Sequence, residues 1–483
     1  MTNSDPETLG NTSLPLCIDL DGTLIQTDSL WESCLRLVSQ QPLMLLLLPL
    51  WLFSGKAGFK QKVSLHVELA PASLPFNTRL LKYLTQQRLH NRQLVLVTAA
   101  NKKIAESIAF HLNIFDEILA SDENHNLSGL NKAKVLTEKF GEKGFVYAGN
   151  ADIDLNVWKH AAAAIVVNAP ETLTKKAEQI TRIEETFPLE HKPSLKILLK
   201  AMRIHQWAKN LLIFTALILS HSWFNPEAFK SIILAFFSFG FAASSIYLIN
   251  DLVDLEADRS HKLKRNRPLA AGILPIHWAI LTIPVLLIIS FALASLTNSD
   301  FILVLSAYLI LTTAYSFFLK QRELLDVITL TSLYTLRIIA GAVAINVPLS
   351  HWLLAFSMFI FLSLALIKRF SELRNLSLQG ETKSLSRGYH VDDLPAISLF
   401  GISSGYISVM IMVLYIHDLQ ADALYKQADW LWFVAVTILY WISHMWLLAF
   451  RGQMNEDPVL FAIHDRTSYI VSLFVLISLY LAL

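Results

Sequence analysis

The sequence predicts two fold classes in one chain, an N-terminal α/β domain and a C-terminal all-α transmembrane bundle of about nine helices. Hydrophobic residues make up 54% of the 483 residues, which is too apolar for a soluble protein of this length. They are concentrated after residue 195, where long apolar runs follow one another. Before that point, short apolar runs alternate with helical patterns, which is typical of a mainly parallel sheet.

The net charge and the two cysteines limit the kinds of partner and the cellular compartment to be expected. The formal net charge is +1, which gives no reason to expect a nucleic-acid partner. The two cysteines, Cys17 and Cys34, do not suggest a disulfide framework, so a reduced, cytosolic setting is expected for the N-terminal domain. The polar stretch 1–15 lacks the pattern of a signal peptide.

Two acids follow the first candidate strand. The apolar run from Leu14 to Ile18 ends in Asp19 and Asp21, directly before Gly22. It predicts a buried strand that delivers both carboxylates to the carboxyl edge of the sheet. Further strands are expected at 93–98, 117–120, 145–149 and 163–167, and a helix at 102–112.

The segment Asp19-Leu20-Asp21-Gly22-Thr23 resembles the first motif of haloacid-dehalogenase-like phosphatases, and the other motifs follow in order. Thr98 resembles the phosphate-binding residue and Lys132 the lysine that neutralises the phosphate. The resemblance implies a haloacid-dehalogenase fold with a helical cap over residues 1–170. It implies that Asp19 attacks phosphorus, and that Asp21 protonates the leaving alkoxide and then activates water. The implied Mg²⁺ ligands are Asp19, Asp21, Asn150 and Asp154.

One position departs from that family. Asn150 stands where many members carry a metal-binding aspartate, so Asp154 or Asp152 would have to compensate for the missing negative charge. Two interpretations stay open. The intact Asp19 and Asp21 favour an active phosphatase, and the alternative is a degenerate domain kept as a scaffold.

An insertion at about 28–88 falls where this family often carries its cap. Its apolar run Leu43–Phe53 is too short to cross a bilayer. With Trp51 and the lysines after it, the run predicts either a segment lying in the membrane interface or a buried cap helix. Residues 171–195 are rich in charged residues and predict a linker at the domain boundary.

The region 196–483 predicts a multi-pass protein of a bacterial-type inner membrane. Its loops after even-numbered spans carry most of the arginine and lysine, whereas the opposite loops carry little beyond Lys230 and Lys426. By the positive-inside rule, the basic loops and the N-terminal domain are expected on the cytoplasmic side.

Acids recur at the end of the second apolar run. In a helix, one face would carry Asn250, Asp254 and Asp258, flanked by Asp251. Stacked carboxylates at a bilayer edge repel one another, so a cation is expected between them, and hard oxygen ligands favour Mg²⁺ completed by substrate phosphates. Arg265 and Arg267 follow and are expected to clamp a diphosphate. The alternative is a solvated loop whose positive charges merely fix the topology.

This acidic stretch, with Lys264 to Gly272 after it and Arg203 to Asn210 before the bundle, resembles the UbiA superfamily of intramembrane transferases. The resemblance implies that Mg²⁺ bridges Asp251, Asp254 and Asp258 to a diphosphate. Prenyltransferases of the superfamily carry a second aspartate pair, but Asp326 has no acid one turn later. The sequence around it is similar instead to the decaprenyl-phosphate phosphoribosyltransferase-like branch. That branch implies phosphoribosyl diphosphate as donor and polyprenyl phosphate as acceptor.

The substrate-binding residues expected from the two resemblances are Thr98, Lys132, Lys209, Asn250, Arg265, Arg267, Lys320, Arg322, Asp326, Arg337 and Lys368. Arg337 lies inside an apolar span, where a charge is either functional or paired in an internal salt bridge. An aromatic prenyltransferase that uses a polyprenyl diphosphate, and a non-enzymatic binding or transport protein, stay open as alternatives. For the fusion as a whole, phosphoribosyl transfer would leave a 5-phosphate that the tethered phosphatase-like domain removes.

Overall fold

The computed structural model describes residues 14–41, 43–44, 47–122, 125–189, 194–261, 264–380, 382, 387–418, 424–454 and 457–483. The chain divides into two compact units. The first unit comprises Met1–Met202 together with Leu248–Thr282, and the second comprises Arg203–Tyr247 together with Ile283–Leu483.

A six-stranded parallel sheet forms the centre of the first unit, in the order β3-β2-β1-β4-β5-β6. Its strands are β1 (Leu16–Ile18), β2 (Leu94–Asn101), β3 (Glu117–Ser121), β4 (Val146–Gly149), β5 (Ala163–Val167) and β6 (Arg182–Phe187). Leu16, Ile18 and Leu96 face one apolar core, and Cys17 and Val95 face the other. Burial on both faces explains why the central strands read as continuous apolar runs.

Helices cover both faces of this sheet. They are α1 (Ser29–Gln40), α2 (Leu48–Leu52), α3 (Gly55–His66), α4 (Thr78–Leu89), α5 (Lys102–Leu112), α6 (Leu130–Phe140), α7 (Leu155–Trp158), α8 (Glu171–Glu178) and α9 (Leu195–Ala201). Leu80 and Leu84 of α4 are buried in the sheet core, so the end of the predicted insertion belongs to the α/β layer. The cap therefore consists of α1, α2 and α3.

The prediction of a linker at 171–195 is wrong for most of its length. Residues 171–187 form α8 and the edge strand β6, which pairs with β5. The charges that suggested a linker lie on an exposed edge, and Glu184 pairs with the buried Arg92. Residues 190–193 lie outside the described part of the chain. The position of the domain boundary stays a prediction.

Part of the apolar run Leu43–Phe53 is exposed, although Met44, Leu48 and Trp51 are half-buried. Leu43 is 81% exposed, Leu50 is 59% exposed and Phe53 is 90% exposed, which is incompatible with a buried cap helix at these positions. Leu45 and Leu46 lie outside the described residues.

Helices make up most of the rest of the chain, and most of them are long and apolar. They are α10 (Phe214–Leu219), α11 (Pro226–Val253), α12 (Leu255–Ser260), α13 (Ile276–Ser295), α14 (Ser299–Phe317), α15 (Leu325–Ala344), α16 (His351–Leu378), α17 (Leu394–Ile416), α18 (Leu431–Arg451), α19 (Pro458–Ala462) and α20 (Arg466–Ala482). Among the described residues, seven helices are long and apolar enough to cross a membrane. Two shorter apolar helices, Ile204–Leu219 and Arg466–Ala482, coincide with the first and last predicted spans, so the count of nine stays a prediction.

Candidate functional sites

Asp19 lies at the carboxyl end of β1 and is bonded to Lys132. The Lys132 ammonium donates to Asp19 Oδ1 at 2.7 Å and to the Tyr147 hydroxyl at 2.8 Å. Lys132 is 4% exposed, so this charge pair is shielded from water. Lys132, which was predicted to neutralise a phosphate, therefore lies beside the predicted nucleophile Asp19 at this edge of the sheet.

Burial raises the pKa of both acids that follow β1. It raises the pKa of Asp19 to about 6, with Lys132 opposing and Asp154 reinforcing the shift. It raises the pKa of Asp21 to about 7, helped by the nearby charges of Asp28 and Asp19. Asp21 Oδ1 accepts a hydrogen bond from the backbone N–H of Ser29 at 2.7 Å. Near neutral pH, Asp21 is therefore protonated in a large fraction of molecules, as a proton donor must be.

Asp154 is engaged in holding the turn after β4. Its Oδ2 accepts from the backbone N–H groups of Asn150 and Ala151 at 2.9 and 3.0 Å, and its Oδ1 accepts from the Tyr147 hydroxyl at 3.1 Å. Tyr147 thus joins Asp154 to Lys132, a role that sequence reasoning missed. The available signal was a tyrosine inside an otherwise apolar strand, two residues before Gly149.

Asn150 packs against the turn of the first motif. Its Oδ1 accepts from the Thr23 hydroxyl at 3.2 Å. Gly22 has φ +75°, and a Cβ there would lie 2.1 Å from Asn150 Nδ2, so glycine is required for this approach. Thr98, on β2, is fully buried and its hydroxyl accepts from the backbone N–H of Ala100 at 2.9 Å.

The acidic stretch lies at the end of α11 and in α12, within the first unit. Asp251 and Asp258 are each 2% exposed, and Asp254 and Asn250 are half-buried. Arg267 Nη1 donates to Asp251 Oδ1 at 3.2 Å and to Asp258 Oδ2. The two carboxylates, seven residues apart, therefore converge on one positive charge, which satisfies the expectation of a cation between them. Arg265 is exposed.

A second centre lies in the second unit, around Asp457 in the loop before α19. Lys209 and Lys368 donate to its Oδ2 at 2.8 and 2.9 Å, and the Tyr334 hydroxyl donates to its Oδ1 at 3.1 Å. Burial opposes ionisation of Asp457, but the two lysines outweigh it and hold its pKa well below the usual range. Two half-buried ammonium groups thus share one carboxylate.

Arg337 lies beside this centre and bonds neutral oxygens. Its guanidinium donates to Asn210 Oδ1 at 3.0 Å, to the Leu333 carbonyl at 2.5 Å and to the Tyr308 hydroxyl at 3.2 Å. These three contacts of Arg337 are hydrogen bonds to neutral groups and not an internal salt bridge. Gly341, one turn after Arg337, lets the backbone approach, since a Cβ there would lie 2.0 Å from the Ile213 carbonyl oxygen.

Asn210 Nδ2 is buried and has no hydrogen-bond partner among the described residues. A buried amide without a partner is costly, and such a group in a native structure calls for a ligand or water. It adds an unused donor to the charges of Lys209, Lys368 and Arg337.

Asp326 is fully buried and bound by arginine. Arg369 Nη2 and Arg387 Nη1 lie 3.2 and 3.0 Å from its Oδ1, which also accepts from the Tyr315 hydroxyl at 2.8 Å. Arg369 Nε bonds the other carboxylate oxygen. Of the two basic residues expected to bind substrate before α15, Lys320 is half-buried and Arg322 is exposed.

Mg²⁺ fits the donor chemistry of the two acidic sites in the first unit. No group of three or more His, Cys, Asp or Glu side chains that could hold a metal is found within the described residues. Mg²⁺, however, commonly takes one or two carboxylates and completes its shell with water and substrate phosphate. Asp19 and Asp21 supply two buried carboxylates, with the Asn150 amide nearby. Asp251 and Asp258 already gather around the Arg267 guanidinium, which stands in for a cation.

Comparison with known proteins gives a family match over the bundle. The profile of the UbiA prenyltransferase family matches residues 211–473. An uncharacterized protein of Sinorhizobium fredii, y4nM, is 37% identical over 460 residues, which cover 95% of this chain and 89% of that protein.

Two named relatives match part of the chain. Nodulation protein NoeC of Azorhizobium caulinodans is 33% identical over 277 residues, 56% of this chain and 88% of that protein. Decaprenyl-phosphate phosphoribosyltransferase of Mycobacterium tuberculosis is 38% identical over 179 residues, 36% of this chain and 59% of that protein. With seven helices of membrane length, the family match makes this chain an integral membrane protein.

Proposed function

The chain belongs to the UbiA prenyltransferase family, and we propose that it transfers a phosphoribosyl group from phosphoribosyl diphosphate to a polyprenyl phosphate. The N-terminal domain then removes the 5-phosphate from the lipid-linked product. The similarity to decaprenyl-phosphate phosphoribosyltransferase supports this substrate pair, although it spans 59% of that protein.

One observation carries the choice of donor. The second unit gathers the buried Arg337 and the half-buried Lys209 and Lys368 around one carboxylate, Asp457, and adds the unused amide donor of Asn210. Two positive charges are left over in a low-dielectric setting, which favours a polyanionic ligand. Phosphoribosyl diphosphate carries a 5-phosphate besides its diphosphate, and a polyprenyl phosphate brings its own, so both need cations that a prenyl diphosphate donor does not.

The surroundings of Asp326 point in the same direction. Asp326 has no acid one turn later and both its carboxylate oxygens are bonded by arginine, which supports a role as a partner for cations rather than as half of a second metal-binding pair. The alternative function is an aromatic prenyltransferase with a polyprenyl diphosphate donor, which the name of the family favours.

The acidic stretch would bind the leaving group. Asp251, Asp254 and Asp258 would hold Mg²⁺, which neutralises the diphosphate when the bond to the sugar carbon breaks. Arg267 would move from the two aspartates to the diphosphate oxygens, because both sets of oxygen atoms suit its planar guanidinium. The carbon of the sugar gains cationic character and is captured by a phosphate oxygen of the acceptor.

The N-terminal domain would act on a phosphate ester. Asp19 attacks phosphorus and forms an acyl phosphate, while Asp21 gives its proton to the departing alkoxide. Asp21 then takes a proton from water, which attacks the acyl phosphate and releases inorganic phosphate. Lys132 keeps Asp19 oriented, and Thr98 contacts the phosphoryl oxygens. The arginine and lysine asymmetry of the loops supports a cytoplasmic location for this domain.

The test is incubation of purified full-length protein with labelled phosphoribosyl diphosphate, polyprenyl phosphate and Mg²⁺, followed by extraction into organic solvent. We expect label in the lipid phase for the native chain and none for Asp254→Asn. Asp19→Asn should yield labelled lipid that keeps its 5-phosphate. Labelled lipid from a prenyl diphosphate and an aromatic acceptor, with none from phosphoribosyl diphosphate, would establish the alternative.

A further inference from the structure

Large apolar side chains of the cap stand in solvent around α2. Leu43, Leu50 and Phe53 are 81%, 59% and 90% exposed, and Leu47 is 38% exposed. Trp51 lies among them and is half-buried, with its ring 5.0 Å from the His66 ring. Large apolar side chains are stabilised when they are removed from water, so four of them in one short segment favour a covering surface.

The cap is tied to a segment that follows a membrane helix. Arg259 of α12 donates from Nη2 to Glu32 Oε1 at 2.7 Å and from Nη1 to Glu32 Oε2 at 3.0 Å, and both side chains are less than a tenth exposed. A second pair joins Arg36 of α1 to Glu256 of α12. Because α12 begins two residues after α11 ends at Val253, these contacts attach α1 to the end of a membrane helix.

A small cavity shows how close the cap lies to that helix end. The cavity has a volume of about 70 Å³, and its walls include Ser39 and Gln40 of α1 and Leu252 and Val253 of α11. Three residues of extended chain span at most about 10 Å, so Leu43 lies within that reach of Gln40. The exposed segment therefore begins within a short distance of the point where α11 leaves the apolar part of the bilayer.

We propose that Leu43, Leu47, Leu50 and Phe53 insert into the interfacial layer of the membrane that the chain itself spans. The occupant is lipid rather than a second copy of the chain, because the first unit itself contains the end of α11 and the start of α13, where the bilayer surface must lie. A short apolar segment with a tryptophan is typical of an interfacial anchor.

Spin labelling of the full chain in nanodiscs of phosphatidylethanolamine and phosphatidylglycerol tests this. A nitroxide is attached at Phe53→Cys and, in a matched control, at Phe110→Cys on α5, which is also 90% exposed. The native Cys17 and Cys34 are buried, so the introduced thiol takes the label. Collisions with molecular oxygen, which dissolves in lipid, and with a water-soluble nickel chelate are then measured by power saturation.

We expect the label at position 53 to show severalfold higher accessibility to oxygen, and lower accessibility to nickel, than the label at position 110. Leu50→Cys should repeat the result. Equal accessibilities at positions 53 and 110 would overturn the proposal. Dipolar broadening between labels at position 53, without oxygen exposure, would also overturn it and would assign the surface to a second copy.

Discussion

Asp19 and Asp21 lie two residues apart, yet their neighbours prepare them for different tasks. Asp19 is bonded to the Lys132 ammonium, which favours its charged form, whereas Asp21 is bonded to a backbone N–H and feels the charge of Asp28. The pKa therefore stays lower for Asp19, at about 6, than for Asp21, at about 7. A nucleophile must be ionised and an acid must be protonated, so the difference has the sign that phosphate-ester hydrolysis needs.

The raised pKa of Asp21 predicts a pH-dependent stability. The pKa of Asp21 in the folded state, about 7, lies above the ordinary value of 3.8. The contribution of its protonated carboxyl to stability is therefore fully present below about pH 4 and is lost as the pH rises through 7. With a chelator present to remove metal ions, Asp21→Asn should raise the free energy of unfolding more at pH 8 than at pH 5. The difference should be on the order of 3 kcal/mol. Unfolding followed by intrinsic fluorescence measures this.

Asp152→Asn is the control, because Asp152 is exposed and pairs with Lys176 at the surface. Its effect should be the same at both pH values. If Asp21→Asn behaved like this control, the carboxyl of Asp21 would not be in the environment described.

Asp457 gives a second residue-scale prediction. Removing its charge leaves the half-buried ammonium groups of Lys209 and Lys368 without their counter-charge. Breaking a fully buried pair costs about 3–5 kcal/mol, which sets the upper limit of the expected loss. Asp457→Asn should lower the unfolding temperature in detergent by on the order of 10 °C. Asp465→Asn is the matched control, because Asp465 caps the start of α20 and Asn preserves that cap. Both substitutions preserve a cap, so a drop of the same size in both variants would contradict the importance assigned to the charge of Asp457.

At the scale of elements, the apolar runs of the sequence predicted much of the fold. Contacts between residues that are far apart in the sequence could not be predicted from them. The strand before Asp19 and the helices of the bundle could be predicted because buried strands and membrane-spanning helices leave continuous apolar runs in the sequence. The face shared by Asn250, Asp254 and Asp258 was predicted from an unbroken helix, but Asp254 separates α11 from α12 with φ −88° and ψ 12°. Asp251 and Asp258, seven residues and about two helical turns apart, share Arg267.

Other pairings could not be read from local pattern. The partner of Arg259 is Glu32, which is 227 residues away, and the partner of Arg92 is Glu184 on a strand that looked like a linker. Similarly, the charges of 171–187 suggested a solvated segment because an edge strand exposes one side to water. Long-range ion pairs depend on the tertiary fold rather than on spacing.

The Glu32–Arg259 pair predicts how firmly α1 is held. It is buried and bidentate, whereas Glu256 in the Arg36–Glu256 pair is half exposed, so the first should contribute far more to the stability of the contact. Hydrogen exchange of the Ser29–Gln40 peptide should rise at least tenfold in Arg259→Gln and change little in Arg36→Gln. The reversed pair Glu32→Arg with Arg259→Glu should restore part of the protection. Equal exchange in the two single variants would contradict this ranking.

At the scale of the whole molecule, the first unit brings both acidic centres into one compact body. Asp21 is bonded to Ser29 at the start of α1, and Glu32 on the same helix is paired with Arg259, the residue after Asp258. Three residues of helix rise about 4.5 Å, so a short chain of contacts joins the two centres. Under the proposed function, this arrangement would favour transfer of the phosphorylated lipid from one site to the other before it diffuses into the membrane.

A mixing experiment with full-length chains tests whether that arrangement matters. Asp254→Asn should lack transfer but keep the phosphatase, and Asp19→Asn should lack the phosphatase but keep transfer. The two variants are mixed in equal amounts in separate nanodiscs, so the phosphorylated lipid must move from one molecule to another. Dephosphorylated lipid should then appear after a lag. It should also form severalfold more slowly than with the native chain, compared at the same number of each active site. The native chain should show no lag, because a tethered site faces a high effective concentration of product. Matching time courses for the mixture and the native chain would mean that the fusion does not speed the transfer of lipid between the two sites. A mixture that never dephosphorylates the lipid would instead contradict the proposed phosphatase activity.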